Sequence, residues 1–141
     1  MRISKKLIAY FFLPAIASCS REFEPIDYGK EACANCRMTI VDNRFAAEFI
    51  DKKGKVFKFD DLLCLKRYAA AHPDNIPDLV FIEDYLGKQN QPLDAIKAFY
   101  LQHEFFNSPM KGNYAAFGTL TETGRLKDSL AISPMTWNNL K

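Results

Sequence analysis

The stretch Phe45-Ala-Ala-Glu-Phe-Ile50-Asp-Lys-Lys-Gly54-Lys-Val-Phe-Lys-Phe59-Asp60-Asp61-Leu-Leu-Cys64-Leu-Lys-Arg-Tyr68-Ala-Ala-Ala-His72 decides the fold class. Two short runs rich in Phe, Val and Ile flank Lys52-Lys53-Gly54, the pattern of a β-hairpin closed at a glycine. In the first run Phe45, Ala47 and Phe49 share a face, and Lys55 to Phe59 is the return strand. Asp60 then has the chemistry of a helix cap for a helix over Asp61 to Ala71. Leu62, Leu63, Leu65 and Tyr68 recur at roughly helical spacing until His72-Pro73 ends it. Hairpin followed by helix is the beginning of an α+β unit.

Upstream, Cys33-Ala-Asn-Cys36 leads into Arg37-Met38-Thr39-Ile40-Val41, whose β-branched run reads as a strand leaving a tight turn. Downstream, Leu79 to Ile82 is a buried strand, 86–92 a loop, Asp94 to Ala98 one helical turn and Phe99 to Phe105 an aromatic strand. A second loop, 107–113, precedes a strand at Tyr114 to Leu120, a turn at Thr123-Gly124 and a short strand-like segment near Leu126. Ser133-Pro134 has the cap and first-position chemistry of a closing helix through Leu140. A faint internal echo links Met38, Phe45-Ala46-Ala47 and Gly54-Lys55 with Met110, Tyr114-Ala115-Ala116 and Gly124-Arg125, as if two small α+β halves placed the two methionines in equivalent spots.

The chain has 141 residues, 48 % hydrophobic and 26 % charged, enough for one small globular domain with a core. Residues 1–18 carry Arg2, Lys5 and Lys6, then the apolar run Leu7 to Ala17, too short to span a bilayer and shaped like a secretory leader. Ile16-Ala17-Ser18-Cys19 resembles a lipobox, so the mature protein is expected to start at a lipid-modified Cys19, on the periplasmic side of the cell envelope. Removal of the three leader cations leaves 16 basic and 17 acidic residues, a net charge of −1 that argues against nucleic acid as a partner. The polar stretch 19–30 reads as a tether, and 31–141 as a single domain with halves near 31–90 and 91–141.

With Cys19 assigned to the anchor, Cys33, Cys36 and Cys64 remain, an odd number in an oxidising compartment. A C-x-x-C running into a strand lacks the helix N-terminus that activates a redox thiol, and no second C-x-x-C completes a zinc knuckle. On a strand, Cys36 and Met38 project from one face, and thiolate beside thioether is a soft donor pair suited to Cu(I). Met110, in the polar loop Ser108-Pro109-Met110-Lys111-Gly112, is a candidate second thioether. His103 is a candidate imidazole, and Cys64, whose simpler reading is a buried helix residue, comes last. Cap chemistry explains Asp60-Asp61. No Ser/His/Asp arrangement, phosphate-binding glycine loop or H-E-x-x-H is present, so nothing argues for an enzyme.

At these residues the chain resembles the NosL family, lipoproteins that act as copper chaperones for nitrous oxide reductase. The likeness runs through the lipobox at Cys19, Cys33-Ala-Asn-Cys36-Arg-Met38-Thr-Ile, Gly54-Lys-Val-Phe-Lys-Phe59-Asp60-Asp61-Leu-Leu-Cys64, Asp94-Ala-Ile-Lys-Ala98-Phe-Tyr100 and Ser108-Pro-Met110 followed by Ala116-Phe117. It departs at Arg37 and Lys111, where the family carries glycine. The resemblance implies an α+β fold of two ββαβ-like halves with small antiparallel sheets, and Cu(I) binding without catalysis. It also implies Cys36, Met38 and Met110 as the leading donors with Cys33 and His103 next, and nitrous oxide reductase or its assembly factors as partner. Two other classes stand beside it: a membrane-tethered thiol-disulfide protein using Cys33 and Cys36, and a zinc-stabilised binding module.

Overall fold

A computed structural model describes residues 21–141; the leader, the lipobox and Cys19 lie outside the described residues. The expected hairpin forms from β1 (Ala47–Asp51) and β2 (Val56–Phe59), paired antiparallel with Phe49 opposite Phe57. Gly54 at φ 84° supplies the left-handed turn that the hairpin needs. Asp61, one residue later than expected, caps α1 (Leu62–Ala71). The chain returns through β3 (Pro77–Ile82) against the other side of β1, and β4 (Leu93–Asp94) extends that sheet to the order β2-β1-β3-β4. All five residues of the central β1 are buried. The Phe49 ring meets Phe57, Phe59 and Tyr68 at 4.9, 5.4 and 6.0 Å, which locks α1 over the hairpin.

The second half repeats the plan. β5 (Phe99–Gln102) pairs with β6 (Tyr114–Phe117), α2 (Leu120–Leu130) follows, and β7 (Met135–Thr136) closes on the far side of β5. The fold is α+β, two ββαβ units with small antiparallel sheets, as expected. β4 belongs to the first sheet, so the seam between the units falls after residue 94. One hydrophobic cluster runs across both, from Ile26, Phe49 and Leu65 to Tyr100, Tyr114 and Ala116.

Several local expectations are corrected. The turn and strand expected around Thr123 and Leu126 are one helix, α2, because Thr119 and Glu122 close a reciprocal capping box that outweighs the glycine at position 124. The closing helix after Pro134 is instead β7 and a single 3-10 turn, Trp137–Asn139. The aromatic strand stops at Gln102, where His103 caps a 3-10 turn over Glu104–Phe106. Phe45 precedes β1 and packs into a separate cluster with Leu101, Phe106, Ala115 and Phe117, so it does not share a face with Phe49. The internal echo has the wrong register: β1 corresponds in topology to β5, not to β6, so Met38 and Met110 are not equivalent positions.

The stretch expected as a tether is bound to the fold from Arg21 onward. Arg21 donates to the carbonyls of Asp51 and Lys52 and pairs with Asp78. Phe23 stacks edge-on against Phe81, Ile26 is buried, and the Tyr28 hydroxyl donates to Glu83. The physical reason is the outer face of the first sheet, which carries Phe81, Glu48 and Glu83 and needs cover. The run Arg37 to Val41 is not a strand of either sheet: it doubles back on 29–33 through one bridge, Ala32 to Thr39, with Ile40 N–H donating to the Glu31 carbonyl. At the tip of this finger Arg37 holds φ 66°.

Two predictions arise here. The Glu48 side chain is fully buried; one oxygen accepts the Glu24 amide and the other has no partner. Burial pushes its carboxyl up to about 7, with the Glu24 and Glu31 charges adding to the rise and Lys58 opposing it. Since the folded state binds this proton more tightly than the unfolded chain, Glu48 supports the fold in acid and loses that contribution as pH rises through about 7. Urea unfolding should therefore show Glu48→Gln more stable than wild type at pH 8, by about 1–3 kcal/mol, and nearly equal at pH 5. Parallel pH profiles for the two proteins would refute the assignment. A non-glycine residue in the left-handed region costs about 1 kcal/mol, so Arg37→Gly should leave thermal stability unchanged or raise it by up to that amount, whereas Arg37→Val should lower it.

Candidate metal centre

The finger at 29–40 and the first turn of α1 meet at one end of the first sheet. Backbone hydrogen bonds from Cys33 N–H to the Met38 carbonyl (2.8 Å) and from Arg37 N–H to the Cys33 carbonyl (3.0 Å) wrap the chain so that both sulfurs of the C-x-x-C face inward. Ala34 N–H donates to the Lys58 carbonyl of β2, which seats the finger on the sheet. From the other side, β2 delivers Asp60, and the cap at Asp61 aims Cys64 of the first helical turn at the same point. Single ligand atoms of Cys33, Cys36, Asp60 and Cys64 lie within 4.8 Å of one another.

The group is enclosed but not sealed. Cys33, Cys64 and Asp60 are buried, and Cys36 reaches partly to solvent. All three cysteines are free thiols. Cys36 Sγ–H donates to Asp60 Oδ2 at 3.3 Å, and the Asn35 amide donates to Cys64 Sγ at 3.3 Å. Asp60 Oδ1 is buried with no partner, a carboxylate oxygen taken out of water and left uncompensated. Burial pushes the Cys36 thiol up to about 11, against the lowering effect of the Met38 amide, with Cys33 and Asp60 adding to the rise. Cys64 is raised further, again by burial first. Without a cation the site sets two thiols raised by burial, Cys36 and Cys64, beside an Asp60 side chain with an unpartnered oxygen. A metal ion would relieve it by replacing the thiol protons and using the spare oxygen.

The structure therefore rearranges the expected donor set. Cys36 and Met38 do not lie side by side on a strand face: Arg37 in the left-handed region turns the backbone between them, and the Met38 side chain is 52 % exposed. Met110 is half-buried, and its amide donates to Asp61 Oδ2, which brings its loop to the start of α1 beside the site. His103 lies outside the group; its Nδ1 accepts the Phe105 amide. Cys64, last among the sequence candidates, is at the centre. Asp60 was not a sequence candidate because the Asp-Asp pair reads as a cap, yet one carboxylate is enough for a cap, and a second beside a Cys four residues later was a readable signal.

No family model matches the chain, and no curated protein matches it. Among solved structures it is similar to the crystal structure of the copper chaperone NosL from Shewanella denitrificans. The TM-score is 0.71 over 86 % of this chain and 96 % of that one, at 16 % identity, a likeness of fold.

Proposed function

We propose that this chain is a Cu(I) carrier of the cell envelope, held to the membrane through Cys19, that delivers copper to nitrous oxide reductase or to assembly factors beside it. The observation that carries the reading is the convergence of three thiols on a buried carboxylate with an unpartnered oxygen. Thiolates are soft donors that favour Cu(I) over hard cations. Partial exposure of Cys36 leaves one sulfur that an acceptor can approach, so copper can pass by stepwise exchange, an incoming sulfur binding before Cys36 leaves. Met38, exposed just beyond Cys36, is placed for a passing contact rather than for holding the ion. The fold shared with a copper chaperone supports the same role, and the acceptor and the anchor come from the family resemblance of the sequence.

The thiol-disulfide alternative loses support, because burial raises the Cys36 thiol, which makes it a poor attacking nucleophile at neutral pH, and Cys33 is fully buried out of reach of a substrate disulfide. Zinc keeps one specific observation in its favour, since three sulfurs and one carboxylate oxygen match a closed tetrahedral site.

The two ions separate on Asp60. Zinc should use all four ligands, whereas Cu(I) should be satisfied by sulfur, so Asp60→Asn should cost Cu(I) affinity less than about tenfold and zinc affinity more than about 100-fold. Cys36→Ser and Cys64→Ser should each weaken Cu(I) by more than about 100-fold in chelator competition. Met38→Leu should leave affinity within about threefold and slow transfer to an acceptor chelator. Preferential retention of zinc, with no sulfur-coordinated copper in the X-ray absorption spectrum, would decide for the structural-zinc reading.

A further inference from the structure

The way Arg21 is held fixes how an anchored molecule must stand. Its guanidinium donates to the carbonyls of Asp51 and Lys52 at 3.2 and 2.9 Å and pairs with Asp78 at 2.7 Å, so the first described residue is pinned where the β1–β2 hairpin turns and β3 begins. One residue, Ser20, separates it from Cys19. Two virtual Cα bonds span at most about 7.6 Å. A lipid on Cys19 would therefore draw this end of the molecule into the headgroup layer, with no slack for another face to turn toward the bilayer.

The chemistry of that end suits such a surface. Lys52, Lys53 and Lys55 are exposed on the hairpin, and none has an acidic partner among the described residues. The nearest acid, Asp51, is buried and accepts the amides of Lys53 and Lys55, so it shapes the turn without screening the ammonium groups from outside. Lys55 lies over the Phe57 ring, its ammonium 4.9 Å from the centroid. Ile76, whose carbonyl accepts the Lys52 amide, is exposed beside them. Glu22, Glu24 and Asp74 are exposed acids of the same end and Asp78 is paired with Arg21, so the uncompensated positive charge is confined to the hairpin tip itself, where three lysines stand with no exposed acid between them.

We infer that the Lys52-Lys53-Gly54-Lys55 hairpin tip, with Ile76, is a membrane-docking surface for anionic phospholipid headgroups, and that it holds the metal centre away from the bilayer. The inference rests on the anchor reading at Cys19. β2 leads from Lys55 at the docking end to Asp60 at the metal centre, five residues that rise about 17 Å along the strand. α1 begins at the metal end and returns to the hairpin, so the sulfurs open on the side facing an acceptor protein.

The test is lysine acetylation of the full acylated chain, free in detergent and then bound to vesicles containing roughly 30 % phosphatidylglycerol, with each lysine read by mass spectrometry. Lys88 and Lys111, both exposed at the opposite end, are internal controls. Labelling of Lys52, Lys53 and Lys55 should fall at least threefold on the vesicles while the controls stay unchanged, and vesicles of phosphatidylcholine alone should protect less. Equal protection on both vesicle types would overturn the headgroup recognition. Protection of Lys88 or Lys111, or of no lysine in a chain that is acylated and floats with vesicles, would overturn the orientation and leave the anchor standing. A chain that carries no acyl group on Cys19 would overturn the anchor and the inference with it.

Discussion

The carboxylate of Asp61 joins the two halves of the molecule and aims the metal centre. Oδ1 accepts the Cys64 amide at 3.0 Å, which starts α1 and fixes the thiol one turn into it. Oδ2 accepts the Ser108 hydroxyl and the Met110 amide, both at 2.9 Å, from the loop between β5 and β6. The group is buried, so each bond is charge-assisted in a medium that screens little, and each is worth more than a surface equivalent, about 1.5–3 kcal/mol. This one side chain thus hydrogen-bonds the second half directly to the helix start that carries Cys64. Ser108 in turn accepts the Asn113 amide, which closes the loop that carries Met110.

With Asp61 committed to the helix and the loop, its neighbour Asp60 is left free, and the contrast explains the site. A buried Asp60 oxygen with no partner costs free energy in the metal-free fold, and the thiols of Cys36 and Cys64, raised by burial, do not compensate it. Such a cluster persists because the flanking elements leave no alternative: the finger is seated on β2, and α1 is held over the hairpin by the Phe49, Phe57, Phe59 and Tyr68 rings. Strain of this kind would be recovered on binding a cation, which would couple the apparent stability of the fold to any ion held there.

The elements legible in the sequence were those with a local signature. Gly54 between two aromatic runs and an acid before a leucine-rich stretch specified the hairpin and α1 without help from the rest of the chain. α2 was misread because Gly124 and two threonines look like a turn, although Thr119 and Glu122 already spelled a capping box. The conformation of Met38 was out of reach, since it depends on a left-handed arginine, a state that composition does not announce. Arg37 and Lys111, the two positions where the resemblance led to an expectation of glycine, both have positive φ, the conformation that glycine favours. Asp60 and the binding of 21–30 to the fold were missed for a common reason: each depends on long-range partners, the finger in one case and the outer face of the first sheet in the other.

Comparison of the two ββαβ units shows why, among the described residues, the candidate ligands gather at the first helix start and not at the second. Cys64 and Glu122 occupy the same position, third in their helices after the caps Asp61 and Thr119. In α2 the glutamate reaches back to the Thr119 amide and completes the box, and the residue before the cap is Gly118, with no side chain to offer. In α1 the thiol makes no such return bond; it turns inward, and the residue before the cap is Asp60. The first unit thus gives up a reciprocal cap, worth about 1 kcal/mol, and gains two converging ligands from one helix start. The hairpins diverge to match. The first unit's turn at 52–55 is tight and stays at the end of β2 away from Asp60, while the long 103–113 connection of the second unit reaches across to Asp61. One unit supplies Asp60 and Cys64 to the candidate site, and the other braces the helix start between them through Asp61.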